Sequence, residues 1–126
     1  MKPTSKQELQ EIIEDTIDKK GNKCDLNFID VSLITDMGYL FYDIDFKGDI
    51  SKWNVSNVEN MNGMFKESTF NGDISKWNVS NVRDMRCMFF DSDFNRDISK
   101  WNVSKVEDMY YAIENCPLAN NPPKWF

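Results

Sequence analysis

The amino-acid sequence predicts an α/β fold in which about four 24-residue strand–helix coils form a solenoid behind an N-terminal capping helix. Three observations lead to this prediction: a fixed 24-residue period, strand-like and helix-like spacing within each period, and an amphipathic N-terminal segment. The chain has 126 residues, 40% of them hydrophobic, which is enough for one compact domain. Within that single domain we expect a capping helix and linker over residues 1–24 and a repeat solenoid over residues 25–126.

Internal repetition is the strongest feature of the sequence. The string DISKWNVS occurs three times, and residues 53–76 agree with residues 77–100 at 16 of 24 positions. Four tryptophans lie 24 residues apart: Trp53, Trp77, Trp101 and Trp125. A degenerate copy over residues 29–52 has Ile29 in the tryptophan position. Four units therefore cover residues 29–124, and they are expected to stack because no single unit buries its own apolar face.

Each unit combines two kinds of spacing. Ile74, Trp77 and Val79 follow one another at intervals of three and two residues, which predicts a short strand over residues 76–79. Further along, apolar and small residues recur at intervals of three and four, which predicts a helix with one buried face. In the second unit these residues are Val58, Met61, Met64, Phe65 and Ser68. Ser56 and Glu59 have the spacing of a capping box at the start of that helix.

Both ends of the stack are expected to be covered. Ser5 and Glu8 form another capping box, and an apolar stripe follows them, so a helix is predicted over residues 5–19 with Gly21 at its end. At the other end Pro122 and Pro123 remove backbone donors, which predicts a stop with the last two aromatic residues folded over the final coil.

Composition argues against several classes of function. Fifteen basic against 21 acidic residues give a net charge of −6, which argues against nucleic-acid binding. The chain has no histidine, so conventional acid/base catalysis and the commonest metal ligand are missing. Cys24, Cys87 and Cys116 are widely spaced and have no CxxC pair, which is typical of free thiols. We therefore expect no enzyme activity, no cofactor and no metal.

Two polar patterns in the sequence resemble binding sites. Asp91, Asp93, Asn95 and Asp97 alternate like the start of a calcium loop, but Arg96 occupies the glycine position, so turn residues that bond their own backbone are the favoured interpretation. Aspartates and lysines also recur every 24 residues, and they are expected to form adjacent ladders of opposite charge. These residues are Asp49, Asp73 and Asp97 with Lys52, Lys76 and Lys100.

The candidate binding residues are those that differ between units on the side opposite the apolar stripe. In the third and fourth units these positions hold arginine and aromatic residues, which are enriched at interaction hot spots. We therefore predict a protein-binding patch formed by Arg83, Arg86, Phe90, Tyr110 and Tyr111. The alternative is that Glu59, Arg83 and Glu107 only form ion pairs between units and that the aromatic residues are ordinary surface residues.

The string MFxxSxFNxDISKWNVSNVxxM, quoted from Met64 to Met85, resembles the repeat of BspA-like leucine-rich-repeat bacterial surface proteins. The resemblance is closest to the branch described as a mycoplasma domain of unknown function, and it covers about residues 25–126. It implies a right-handed, leucine-rich-repeat-like scaffold, display at a cell surface, and binding of host or neighbouring proteins. It implies no catalytic residues.

The sequence thus predicts a non-catalytic repeat scaffold for protein–protein interaction. The alternative is a structural or self-associating module without a dedicated ligand. The expected partner is an unidentified protein, with no nucleic acid and no membrane insertion, and the chain is expected to be a monomer or to self-associate weakly. The N-terminal 20 residues carry charges throughout and resemble no secretory signal, which favours the cytoplasm, whereas the family resemblance favours the cell surface.

Overall fold

The computed structural model describes all 126 residues and contains one α-helix, α1 (Lys6–Lys20). The Ser5 hydroxyl accepts a hydrogen bond from the N–H of Glu8 at 3.1 Å, and Gly21 ends the helix with a φ of 90°. The helix predicted over residues 5–19 is therefore confirmed to within one residue. Leu9 and Ile13 are fully buried, so the apolar stripe of α1 joins the core. The other helix is one 3₁₀ turn, Pro117–Asn120.

The predicted strand–helix solenoid is wrong. No sheet is present, and extended pairing is limited to isolated parallel bridges, Asp25 with Asp49 and the series Asp36, Asn60, Asp84 and Asp108. The strand predicted over residues 76–79 is replaced by a turn in which the N–H of Trp77 donates to the carbonyl of Ile74 at 3.1 Å. No α-helix follows it in any unit.

The segment predicted as a helix is instead a series of turns bonded to the next unit. We refer to residues 29–52, 53–76, 77–100 and 101–124 as coils 1 to 4. Over residues 61–67 of coil 2, every second N–H donates to a carbonyl of coil 3. Gly63 donates to Arg86 and Phe65 donates to Met88, both at 2.8 Å. The N–H groups between them donate three residues back, as Met64 does to Met61 at 3.2 Å. An α-helix needs these same N–H groups for carbonyls four residues back, so the two arrangements exclude each other.

Left-handed backbone residues maintain this series of turns. They recur at two positions of every coil, four residues apart, and both positions repeat with the 24-residue period. One set is Tyr39, Gly63, Cys87 and Tyr111, and the other is Asp43, Glu67, Asp91 and Asn115, with φ between 54° and 63°. Positive φ at regular intervals ends any right-handed helix within one turn. The capping box also fails, because the N–H of Glu59 donates to the carbonyl of Thr35 in coil 1 at 2.8 Å.

The core consists of repeated side chains that lie on their equivalents in the next coil. The rings of Phe41, Phe65 and Phe89 stack with centroids 5.5 and 5.6 Å apart and planes 8° and 2° from parallel. Trp53 and Trp77 are stacked at 6.4 Å, 5° from parallel. Each tryptophan indole N–H donates to a carbonyl 27 residues earlier at 2.9–3.0 Å. The residues predicted to face inward are therefore buried, although their backbone is not helical.

The two ends of the stack differ. At the first end Lys6 of α1 lies 3.2 Å from Asp36 and donates to the carbonyl of Gly38 at 3.3 Å. At the other end Trp125 stacks on Trp101 at 6.4 Å. None of the helices combines the length and apolarity that crossing a bilayer requires.

Candidate protein-binding face

The outer side of the turn series carries a row of six side chains, five of them aromatic. Its six members are Tyr39 and Tyr42 from coil 1, Lys66 from coil 2, Phe90 from coil 3, and Tyr110 and Tyr111 from coil 4; we call them the aromatic band. The tyrosines are 42–63% exposed, with Tyr110 the most exposed of the four. Five of the six occupy either the left-handed position or the third residue after it, so the 24-residue period places them in register. Tyr110 directly precedes the left-handed Tyr111.

The members of the band are in continuous contact. Tyr39 and Tyr42 meet edge to face with centroids 5.5 Å apart. The ammonium of Lys66 lies 5.5 Å from the ring of Tyr42 and 5.7 Å from the ring of Phe90, so it bridges coil 1 to coil 3. Phe90 contacts Tyr111 at 5.6 Å, and Tyr111 contacts Tyr110 at 4.1 Å. The contacts therefore extend across all four coils.

Gly63 makes room for the first part of the band. A Cβ atom at this position would lie 2.5 Å from the ring of Tyr39, which is closer than any real contact allows. The equivalent positions hold Tyr39, Cys87 and Tyr111, so the left-handed backbone alone does not require glycine there. The ring of Tyr39 lies over coil 2 because coil 2 has no side chain at that point.

The environment of Tyr111 disfavours ionisation of its phenol. The neighbouring Tyr110 hydroxyl, followed by the nearby Glu114 and Cys87, raises the pKa of Tyr111 above its ordinary value. Lys66 brings a cationic side chain between the rings of Tyr42 and Phe90.

Arg83 and Arg86, the two arginines predicted to bind a partner, both form ion pairs. Arg83 lies 3.9 Å from Glu59 and 3.6 Å from Glu107, as expected if these three residues pair between coils. Arg86 pairs with Asp84 at 3.3 Å and with Asp108 at 3.6 Å. The hydrogen bond and the charge of Asp84 raise the pKa of Arg86. Exposed pairs of this kind contribute about 0–1 kcal/mol each, so they position the guanidinium groups more than they stabilise the fold.

The structure brings together three of the five predicted residues, Phe90, Tyr110 and Tyr111, in direct ring contact. Arg83 and Arg86 contact carboxylates, and neither makes a cation–π contact. The sequence prediction missed Tyr39, Tyr42 and Lys66. Their signal was present, because they occupy the same two positions of the 24-residue period as Tyr111 and Phe90.

The polar ladders lie near each other but form no ion pairs. Asp49, Asp73 and Asp97 each accept a hydrogen bond from the N–H of the serine two residues later at 2.8–3.0 Å. Hydrogen bonds from these serines, and more weakly the charges of Lys52, Lys76 and Lys100, lower the pKa of the three carboxyl groups. None of the ion pairs involves these lysines, so the two ladders interact through charge without direct contact.

The other titratable groups form no converging cluster. Asp91 accepts a hydrogen bond from Asn115, and no group of three or more acidic or cysteine side chains has an arrangement that could hold a metal ion. The three cysteines are free. Burial raises the pKa of Cys24 and Cys116, which disfavours their thiolate forms.

The chain matches a known protein family. The family model described as "Mycoplasma protein of unknown function, DUF285" matches residues 7–125. None of the curated proteins matches the chain, and neither does any solved structure.

Proposed function

The chain belongs to this family of mycoplasma proteins, and we propose that it is a non-catalytic scaffold that binds a partner protein through the aromatic band. The observation that supports this most strongly is the continuity of the band. Six side chains from four coils form one chain of contacts, in which the four tyrosines are exposed and Lys66 and Phe90 are half-buried. Contiguous aromatic surface of this kind marks interaction sites more often than isolated exposed rings do.

The chemistry of the band suits protein recognition. Tyrosine offers a large contact area at a low cost in side-chain entropy and keeps a hydroxyl for hydrogen bonding, which is why it is enriched at hot spots. The backbone beneath the band is bonded from coil to coil, so the rings are presented on a rigid support. Little of the binding free energy is then needed to order the surface.

Differences between the coils support a specific partner. The inward phenylalanine position is occupied by the same residue in coils 1, 2 and 3. The outward left-handed position holds tyrosine, glycine, cysteine and tyrosine in the four coils. Repeated contacts stabilise the stack, whereas an irregular outer face is complementary to one partner shape rather than to many.

The relationship to BspA-like bacterial surface proteins is part of this proposal. The repeated string that ends in DISKWNVSNVxxM supports it, and in the longer members such repeats are associated with binding of host or neighbouring proteins. The strand–helix unit of leucine-rich repeats does not belong to the proposal, because this chain builds its coils from turns.

The proposal is tested by site-specific photocrosslinking. A photoreactive phenylalanine analogue at position 110 should crosslink one defined protein in cells or extracts of the source organism. The same analogue at position 28 is the matched control, because Phe28 is also an exposed aromatic residue, at 51%, but lies outside the band. The captured protein is then purified, and its affinity is measured directly.

We expect Tyr110→Ala with Tyr111→Ala to weaken that affinity by at least about tenfold, since buried hot-spot tyrosines contribute about 2 kcal/mol or more. Phe28→Ala should leave the affinity unchanged. Equal capture from positions 110 and 28, or equal affinity of the two variants, overturns the proposal. Crosslinking only to another copy of the chain, with a mass that rises with concentration in light scattering, favours the self-associating alternative.

A further inference from the structure

Coil 4 leaves a row of backbone donors without partners. In coils 1 to 3 the N–H groups at four alternate positions donate to carbonyls of the following coil at 2.8–3.2 Å. The equivalent N–H groups in coil 4 donate to no carbonyl or side chain of the protein. They belong to Met109, Tyr111, Ile113 and Asn115. All four are donors. This edge of the stack also contains one acceptor, the carbonyl of Glu107, whose equivalents in coils 1 to 3 accept an N–H of the following coil at 2.8 Å.

The same edge leaves apolar side chains uncovered. Val58, Val82, Met61 and Met85 are at most 1% exposed, because the following coil covers them. Their equivalents in coil 4, Val106 and Met109, are only half-buried, and so is Val103. We call these three side chains and the four free N–H groups the coil 4 edge. In each earlier coil, the equivalent N–H groups and apolar side chains form the surface that contacts the following coil.

A folded second copy does not offer the complementary surface. The carbonyl side of coil 1 lies at the end occupied by α1, where Lys6 donates to the carbonyl of Gly38 at 3.3 Å. Leu9 and Ile13 of α1 are fully buried in the common core. Head-to-tail stacking of intact copies would therefore require displacement of α1.

We propose that the coil 4 edge is a docking site for one further coil of the same 24-residue kind, supplied by another polypeptide whose first coil is uncovered. Such a coil presents carbonyls at alternate residues and an apolar underside, as coils 2, 3 and 4 do within this chain. The mode is the addition of one layer to an open edge, in which backbone hydrogen bonds provide affinity and side-chain columns provide register. Trp125, stacked on Trp101, already extends the tryptophan column beyond coil 4.

Amide hydrogen exchange by NMR tests this proposal on the full chain. The probe is a synthetic peptide with the sequence of residues 54–70, which includes the carbonyl row of coil 2. We expect the amides of residues 109, 111, 113 and 115 to exchange rapidly in the free protein and to slow by at least about tenfold with saturating peptide. The equivalent amides of coil 3, at residues 85, 87, 89 and 91, are the internal control and should be protected throughout.

Two matched changes test the chemistry of the edge. A peptide with Met61→Ser and Phe65→Ser should bind at least about tenfold more weakly, because it lacks the apolar side chains that pack on the edge. Val106→Glu in the protein should also abolish protection by the unaltered peptide, while the melting profile shows that the variant is folded. An extended variant carries residues 54–76 after Trp125 in place of Phe126, which supplies the coil at high effective concentration.

The outcomes separate the proposal from its rivals. Protection by the peptide, lost with either matched change, supports it. Slow exchange of the four amides in the free protein, or protection in neither the peptide titration nor the extended variant, overturns it. Protection in the extended variant alone overturns docking by a separate polypeptide. Protection that grows with protein concentration identifies a second copy as the occupant and overturns the partner proposed. Tyr110 and Tyr111 variants should leave the titration unchanged, so failure here is distinguishable from failure of the aromatic band.

Discussion

Two groups of aromatic side chains in this protein face opposite directions and follow different rules. The inward column repeats the same residue, and Phe41, Phe65 and Phe89 lie almost parallel with at most 2% exposure. The outward aromatic band changes residue type from coil to coil, and its rings meet at 38–89°. The comparison teaches that identical repetition of an aromatic residue in this chain marks burial between like surfaces. The proposed partner-binding role of the aromatic band rests on variation at exposed positions.

Phe65→Ala is expected to have the largest effect on stability. The ring is fully buried between Phe41 and Phe89, so its removal leaves a cavity that the adjacent coils cannot fill, at a cost of about 3–5 kcal/mol. Tyr110→Ala is the outward counterpart and should change the free energy of unfolding by less than about 0.5 kcal/mol. Denaturant unfolding monitored by tryptophan fluorescence measures both. Similar losses in the two variants would contradict the division between column and band.

Trp77→Phe tests the hydrogen bonds that the stacked tryptophans form with buried carbonyls. The substitution keeps a stacked ring and removes the indole N–H that donates to the buried carbonyl of Ile50 at 3.0 Å, so that the backbone N–H of Trp53 remains its donor at 3.2 Å. Loss of one such hydrogen bond costs about 0.5–1.5 kcal/mol. Trp125→Phe removes the equivalent bond to Ile98 at the half-buried end of the stack, where water replaces it, and should cost less. Equal destabilisation of the two variants, measured by the same unfolding assay, would rule out this explanation.

Gly63→Ala tests the contact between the backbone of coil 2 and the ring of Tyr39 in the aromatic band. Alanine at a φ of 63° costs about 1 kcal/mol, and its Cβ would displace the ring of Tyr39. Gly21→Ala is the control, because it also lies at positive φ but has no atom within 4 Å of the added Cβ. Only Gly63→Ala should shift the NMR resonances of Tyr39 and Tyr42. Unchanged resonances would mean that the ring does not lie over Gly63.

Mild acid is expected to have the smallest effect on stability. It acts on aspartates that repeat every 24 residues although they are exposed. The pKa values of Asp49, Asp73 and Asp97 are lowered by hydrogen bonds from the following serines, so the unfolded chain binds their protons more tightly. Their stabilisation is complete above about pH 4 and is lost as the pH falls further through their folded-state pKa values.

Changing all three aspartates to asparagine is the control for the acid effect. Asparagine keeps the acceptor, as Asn54, Asn78 and Asn102 show by bonding the N–H two residues later at 3.1 Å. The melting temperature of this variant should vary less between pH 5 and pH 3 than that of the unaltered protein. An identical pH profile would show that these carboxylates do not contribute to the acid dependence.

The sequence was most informative where a residue's role depends on its neighbours in the chain. Ser5 and Gly21 define α1 by local capping, and the structure agrees. It was least informative for Ser56 and Glu59, whose capping-box spacing is not used because Glu59 donates its N–H to coil 1. For the candidate face, Phe90, Tyr110 and Tyr111 were identified by exposure and variation. Lys66 shares its position in the period with Phe90, but only the structure shows its contacts with Tyr42 and Phe90, which cross two coil boundaries.

The sequence by itself determined the 24-residue period, the side chains that face inward, and the helix at the N-terminus. Spacing of three and four residues around Met61 and Phe65 correctly indicated burial, but two backbones satisfy that spacing. Only the tertiary structure decided between them. A helix of about ten residues gains one hydrogen bond per residue within itself, whereas a series of turns shares half of its N–H groups with an identical neighbour. Because four coils stack in register, the bonds between them and the buried side-chain columns form together, and the helix is not formed.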